Sequence, residues 1–226
     1  SAVLFDFDYT LADSSRGVIE CINFALGELG IPPAVPQKIR HTIGLSLTDT
    51  FLRLVGKQYA EQSGEFVRLF IQRADEVMAD MTVLYGEVDA VLKQIRAHHI
   101  STGIVSTKFR YRIENIMRRE NLLHHFDVIV GGEDVSNHKP DPEGLLKAVS
   151  LLKCNPEKTI YIGDNTTDAE TARRAGIDFA AVLGGVTRRQ EFEKFDVLGI
   201  LENLSGLAGF LSWNWIKYLK RAKIVC

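Results

Sequence analysis

The sequence predicts an α/β fold, with a parallel-sheet core and a helical domain inserted after the first strand. Three observations support this prediction. The chain opens with a short apolar segment, residues 3–7, that is typical of a buried strand. Residues 15–82 show only the apolar spacing of helices. Beyond Tyr85, strand and helix patterns alternate, which indicates right-handed crossovers and a parallel sheet.

The inserted segment contains two clear amphipathic helices. Gly30 and the prolines that follow it end the first one. The apolar face of the first helix consists of Val18, Ile22, Ala25, Leu26 and Leu29. The apolar face of the second consists of Val67, Phe70, Ile71, Ala74 and Val77. We therefore assign residues 15–82 to a helical domain, and residues 1–14 and 83–226 to the core.

The core is predicted from strands and helices in alternation. After the opening strand, the predicted strands are residues 101–106, 127–132, 159–164 and 178–183. The helices between them show apolar stripes in residues 88–95, 113–117 and 145–152, and the last helix ends near Gly176. The third of these helices is predicted to begin with Asp141 as its N-cap and Pro142 as its first residue. This order indicates a Rossmann-like core.

Composition excludes several classes of protein. A net charge of -2 leaves no basic excess of the kind that nucleic acid binding requires. No apolar run approaches the roughly 20 residues of a membrane-spanning helix. The cysteines are scattered and lack metal-binding spacing, which favours a reduced, cytoplasmic setting. We expect a soluble protein, and the sequence does not predict its oligomeric state.

The C-terminal residues 211–226 combine two tryptophans with a group of basic side chains. This composition favours a helix that docks its aromatic side chains on the core over a helix that lies on an anionic membrane.

Two aspartates interrupt the opening apolar run. Asp6 and Asp8 stand where an unpaired carboxylate costs several kcal/mol. Side chains two residues apart in a strand point to the same side, so the two carboxylates would also repel each other. A cation or a chemical task must compensate for this cost.

Other polar residues stand at or just beyond the ends of the predicted strands, where ligands bind in open parallel sheets. These residues are Ser106, Thr107, Lys139, Asp164 and Asp168. Carboxylates converging from two strands form a hard-oxygen site suited to Mg²⁺. The lysine and hydroxyl groups would hold the oxygen atoms of a phosphoryl group. The sequence therefore predicts Mg²⁺ and a phosphate as the missing partners of the two aspartates.

Four segments resemble the motifs of the haloacid dehalogenase-like superfamily, in the same order: DFDYTLADS, VSTK, HKPDPEG and GDNTTD. The resemblance extends to about residue 200, and the helical insertion is similar to the cap of the branch that contains phosphoglycolate phosphatase and β-phosphoglucomutase. It implies that Asp6 is a nucleophile that forms an aspartyl-phosphate. It also implies that Asp8 is first a general acid and then a general base.

The resemblance implies ligand roles as well. The residues implied in binding the phosphoryl group are Ser106, Thr107 and Lys139. The residues implied in the Mg²⁺ site are Asp6, the backbone carbonyl of Asp8, Asp164 and, through water or as a supporting partner, Asp168.

One residue departs from the family pattern, and the roles of several others need separate interpretation. Tyr9 stands where the family usually has glycine, and a tyrosine is compatible with that position if its φ is negative. We interpret Lys108 and Arg110 as solvated charges at the start of a helix. Arg16 and the turn of residues 41–47 either face the substrate or are a helix-entry charge and an inter-helix turn.

Together these observations predict a Mg²⁺-dependent phosphomonoester hydrolase acting on a small phosphorylated metabolite in the cytoplasm. The alternatives are a phosphomutase of the β-phosphoglucomutase type and a non-catalytic binding module on the same scaffold. A haloacid dehalogenase is disfavoured, because cleavage of a carbon–halogen bond needs neither Mg²⁺ nor an acid for the leaving group.

Overall fold

The computed structural model describes residues 1–207 and 209–211. Apart from residue 211, the predicted C-terminal helix of residues 211–226 lies outside the described residues. The strands are, in chain order, β1 (Ala2–Phe5), β2 (Ala12–Asp13), β3 (Val83–Leu84), β4 (Ser101–Val105), β5 (Val128–Val130), β6 (Thr159–Gly163), β7 (Asp178–Val182) and β8 (Gly199–Leu201).

Within the described residues, one parallel sheet of six strands forms the core, in the order β5-β4-β1-β6-β7-β8. The chain passes from β1 to β4 on one side and later to β6 on the other, so β1 lies at the point where the strand order reverses. Two apolar clusters, one on each face, separate this sheet from the helices that cover it. The predicted Rossmann-like α/β fold is confirmed, with β8 as an edge strand that the sequence did not reveal.

The first strand is shorter than predicted. It was expected over residues 3–7, yet its ladder reaches only to Asp6, whose backbone N–H donates to Ile162 O at 2.8 Å. The chain then turns tightly, because the backbone N–H groups of Leu11 and Ala12 both donate to Phe7 O. This turn places Asp6 and Asp8 at the carboxyl edge of the sheet.

The helices are α1 (Ser15–Glu28), α2 (Pro36–Arg40), α3 (Leu47–Val55), α4 (Ser63–Val77), α5 (Val88–Ala97), α6 (Arg110–Arg119), α7 (Glu143–Leu152), α8 (Thr166–Ala175) and α9 (Arg189–Phe192). Gly30, at a φ of 69°, follows the end of α1 as predicted. The predicted start of α7 was wrong by one residue. Pro142 is its N-cap, and Asp141 Oδ1 accepts a hydrogen bond from Glu143 N at 2.9 Å.

Helices α1 to α4 pack around a hydrophobic cluster of their own, to which the core contributes Tyr9. The antiparallel pair of β2 and β3 joins Ala12 to Leu84 and Asp13 to Val83. It therefore closes the two ends of the helical insertion, which we call the cap. The boundaries of the two domains stay predictions, with residues 15–82 in the cap and residues 1–14 and 83–226 in the core.

Among the described residues, no helix combines the length and the apolar character needed to cross a membrane.

Candidate active site

Three buried carboxylates meet at the carboxyl edge of the sheet. Asp6 follows β1 and Asp164 follows the neighbouring β6, so the parallel pairing of these strands brings the two side chains together. Asp168 comes from the first turn of α8, where its Oδ2 accepts a hydrogen bond from Asn165 N at 3.1 Å. One carboxylate oxygen of each of the three lies within 4.8 Å of the others. The structure thus groups the predicted metal-site aspartates, apart from Asp8.

Lys139 supplies a positive charge to this group. Its Nζ lies 3.0 Å from Asp6 Oδ1, 2.5 Å from Asp168 Oδ1 and 3.2 Å from the hydroxyl oxygen of Tyr161. Burial alone would lower the pKa of Lys139, but the carboxylates of Asp168 and Asp6 outweigh burial and raise it. The lysine therefore stays charged and holds two of the carboxylates in place. Tyr161 was missed at the sequence level because it reads as an ordinary core aromatic residue.

The charges of this group do not balance, because one ammonium faces three carboxylates. Burial, followed by the charges of Asp168 and Asp6, raises the pKa of Asp164 well above its usual range. Burial also raises the pKa of Asp168 to about 6, although Lys139 opposes this effect. Asp6 Oδ1 is buried and accepts no aligned hydrogen bond from a described residue, since the Lys139 ammonium lies out of line. A cation with a preference for carboxylate oxygen fits this donor set.

A glycine pair after β7 leaves room for one of the carboxylates. A Cβ atom on Gly185 would lie 1.9 Å from Asp164 Oδ2, so no larger residue fits there without movement. Gly184 and Gly185 were not predicted to belong to the site. Their one signal was two consecutive glycines directly after a strand.

Asp8 is held separately, by two partners on the same oxygen. Ser14 Oγ donates to Asp8 Oδ1 at 2.5 Å, and Lys108 Nζ lies 3.2 Å from that oxygen. Among the described residues, no donor forms a hydrogen bond to Asp8 Oδ2. Ser14 is the last residue of the segment DFDYTLADS, but no role was predicted for it.

The interpretation of Lys108 as a solvated charge was wrong. Its side chain is only 6% exposed, because the cap covers it, and its ammonium also lies 5.8 Å from the centre of the Phe7 ring. Arg110, two residues later, is the solvated charge that was predicted. Its side chain is 45% exposed and pairs with Asp134 and Glu114.

Ser106 and Thr107 follow β4 and line one small cavity together with Lys139. The Ser106 N–H donates to Val130 O at 3.0 Å, which extends the sheet ladder by one residue. The Thr107 hydroxyl donates to Gly44 O at 3.3 Å and thus faces the cap. The three residues predicted to bind the phosphoryl group are therefore neighbours, with the Thr107 hydroxyl directed away from them.

The turn of residues 41–47, whose role the sequence left undecided, faces the site. Thr42, Ile43, Gly44 and Leu45 line a cavity that reaches Asp8. Arg16 is exposed and does not line this cavity.

Tyr9 does not have the negative φ that was expected of a tyrosine at this position. Its φ is 60°, in the left-handed region, which costs a non-glycine residue about 1–2 kcal/mol. Its side chain is buried and packs into the hydrophobic cluster of the cap. The burial of the ring compensates for the strain in the backbone.

The architecture and the grouped carboxylates correspond to those of a known family of hydrolases. A family model described as haloacid dehalogenase-like hydrolase matches residues 3–182. The chain belongs to this family, as its motifs suggested.

Relatives and solved structures narrow the class. The chain is 30% identical over 186 residues to a phosphoglycolate phosphatase of Aquifex aeolicus, covering 82% of this chain and 86% of that protein. It is 30% identical over 212 residues to the pyrophosphatase PpaX of Bacillus mycoides, covering 94% and 97%. A haloacid dehalogenase-like hydrolase of Bacteroides fragilis has the same fold, with a TM-score of 0.88, 42% identity, and coverage of 91% of this chain and 98% of that one. The enzyme class that these findings support is a phosphatase.

Proposed function

We propose that this chain is a Mg²⁺-dependent phosphatase that transfers the phosphoryl group of a small phosphorylated metabolite first to Asp6 and then to water. The observation that carries the proposal is the pairing of two differently held carboxylates. Asp6 lies among carboxylates and the Lys139 ammonium, whereas Asp8 is held by Ser14 and Lys108 on one oxygen only. One carboxylate is thus suited to attack phosphorus, and the other to exchange a proton.

Asp6 and Asp164 would hold the metal ion, together with the backbone carbonyl of Asp8. Asp168, whose two oxygens contact Lys139 and Asn165 N, would support them. When bound, Mg²⁺ offsets the charge of the carboxylates and of the phosphoryl oxygens, which otherwise repel each other. The buried carboxylate excess described above supports this assignment.

The chain's own residues would carry out two displacements at phosphorus. In the first, an oxygen of Asp6 bonds to phosphorus, the bond between phosphorus and the leaving oxygen breaks, and Asp8 Oδ2 gives its proton to that oxygen. In the second, Asp8 takes a proton from water, the water oxygen bonds to phosphorus, and the bond to Asp6 breaks. Lys139 and Ser106 would hold the phosphoryl oxygens in both steps.

The named activities of the relatives support a small phosphorylated substrate, and the absence of a basic excess gives no support for nucleic acid as a partner. A cytoplasmic location stays a prediction. No observation favours a phosphomutase over a phosphatase, so we treat a phosphomutase as an outcome of the test.

The test measures phosphate release by the purified chain from phosphoglycolate, pyrophosphate and a set of alkyl and sugar phosphates, with Mg²⁺ or with chelator. We expect phosphate release from at least one ester with Mg²⁺ and none with chelator. The Asp6→Asn variant serves as the blank. An isomeric sugar phosphate without free phosphate would indicate a phosphomutase. Absence of any turnover would indicate a binding module and refute the proposal.

A further inference from the structure

The cap and the core line a partly open cavity of about 60 Å³ beside the proposed acid. It is lined by Asp8 and Lys108 from the core and by residues of the cap. A general acid must lie within hydrogen-bond reach of the leaving oxygen. The cavity that reaches Asp8 is therefore the space that the rest of the leaving group occupies.

The cap side of this cavity is mainly apolar. Its apolar residues include Val18, Ile22, Ile43, Leu47, Phe70 and Met78. Apolar walls of this kind favour the binding of apolar groups, by about 0.8 kcal/mol of binding free energy for each buried methylene group.

The hydroxyl groups that line the cavity are already committed to backbone carbonyls. Thr42 Oγ1 donates to Ile39 O at 2.7 Å, and Thr50 Oγ1 donates to Thr42 O at 3.3 Å. Thr107 Oγ1 donates to Gly44 O, as described above. These three hydroxyls can still accept a hydrogen bond but have no proton left to donate, so a leaving group with several hydroxyls would find few donors here.

The two cations of the lining are also paired. Lys108 faces Asp8, and Arg112 donates through Nε and Nη2 to Asp75 Oδ1 at 2.9 and 2.7 Å. Arg112 Nη2 also donates to Ile71 O at 3.0 Å. Arg112 Nη1 is the one guanidinium nitrogen without an acceptor among the described residues. A carboxylate on the leaving group would have this nitrogen and the remaining N–H groups of Lys108 as donors, which makes a carboxylated ligand the decisive competitor.

The volume limits the size of the group. An apolar cavity of about 150 Å³ holds one benzene ring, so about 60 Å³ corresponds to roughly three non-hydrogen atoms. We propose that this cavity selects phosphate esters of small, uncharged, apolar alcohols of two to three carbons, over sugar phosphates and over carboxylated esters. This inference rests on the proposed function, because Asp8 marks the leaving group only if it is the acid.

Binding of alkylphosphonates, which cannot be hydrolysed, tests the selectivity without turnover. Isothermal titration of the wild-type chain with Mg²⁺ should show affinity rising about fourfold per methylene from methyl- to propylphosphonate, and falling for hexylphosphonate. Carboxymethylphosphonate should bind at least fivefold more weakly than propylphosphonate. Tighter binding of the carboxylated ligand, or affinities independent of chain length, would overturn the inference.

A variant pair on one helix links this selectivity to the cavity. Leu47→Ala removes part of the apolar wall and should move the best ligand to a longer chain, whereas Leu52→Ala, on the same helix but outside the lining, should leave the order unchanged. An equal shift in both variants, or no shift in Leu47→Ala, would refute the assignment.

Acetyl phosphate distinguishes a failure of the selectivity from a failure of the proposed function, because its leaving group is small and needs no proton. Hydrolysis of acetyl phosphate above the Asp6→Asn blank, with no preference among alkyl phosphates, would keep the phosphatase and remove the selectivity. No hydrolysis of acetyl phosphate or of any ester would remove the proposed function, and the inference with it.

Discussion

Magnesium should stabilise the folded protein at pH 7, and the gain should shrink as the pH falls to 5. The reason is the buried carboxylate group, which gains protons over this range. The pKa of Asp168 is raised from 3.8 to about 6, mainly by burial, and that of Asp164 is raised in the same direction. Protons and Mg²⁺ therefore oppose each other, directly at the oxygens of Asp164 and through the charge of the neighbouring Asp168.

The sign and the size follow from linkage. A carboxyl group whose pKa is higher in the folded state binds its proton more tightly there, so its contribution to stability is complete below the unfolded pKa. That contribution is lost as the pH rises through the folded pKa. For Asp168, the difference between 3.8 and about 6 corresponds to about 3 kcal/mol, lost between pH 4 and 6 in the metal-free protein.

Mg²⁺ should restore a comparable amount at pH 7. A metal concentration of about a hundred times Kd stabilises by about 2.7 kcal/mol, which raises Tm by about 5–10 °C for a chain of this size. Thermal unfolding with Mg²⁺ or chelator, at pH 5, 6 and 7, measures this effect. Asp164→Asn, of the same size but uncharged, is the matched variant and should lose most of the gain. Equal gains at pH 5 and pH 7, or an undiminished gain in the variant, would refute the reasoning.

Substitutions at three other positions, two of them with a matched control, test separate features of the site. Asp6→Asn should reduce turnover to background while the protein stays folded, and activity within tenfold of wild type would mean that another group attacks phosphorus. Lys108→Met should lower kcat at least tenfold, because it removes a partner of Asp8, whereas the solvated Arg110→Met should stay within about twofold; equal effects would contradict the assignment of Lys108. Tyr9→Gly should lose about 3 kcal/mol of ring burial and regain about 1 kcal/mol of backbone strain, while Tyr9→Phe should change stability little. An increase in Tm for Tyr9→Gly, measured by thermal unfolding, would show that the strain outweighs the packing.

The elements that the sequence predicted are those with a strong local pattern. Strands β4, β6 and β7 are buried apolar runs, and α1 has both an apolar face and Gly30 at its end. By contrast, β8 has three half-buried residues, Gly199–Leu201, and becomes a strand because it pairs with β7 at the edge of the sheet. Such a strand is defined by its neighbour and leaves no periodicity in the chain.

The same distinction applies to the site. Asp6, Lys139 and Asp164 could be grouped in advance, because the carboxyl ends of parallel strands meet at one edge. Lys108 could not, because its burial depends on a cap that folds over it from a distant part of the chain. The φ of Tyr9 was also hidden, since the ring that compensates for its strain packs into that same cap.

The Asp8→Ala variant tests whether phosphate passes through Asp6 with Asp8 as the acid and base. Acetyl phosphate needs no proton on its leaving group, so the variant should still be phosphorylated by it, but should lack the base that activates water. We expect one equivalent of acetate to be released in a burst, followed by a stall, and mass spectrometry to find one phosphoryl group on the peptide that contains Asp6. With alkyl phosphates, phosphorylation should slow by about 10²–10⁴-fold. Phosphate on another residue, or steady turnover with no phosphoenzyme, would contradict the account.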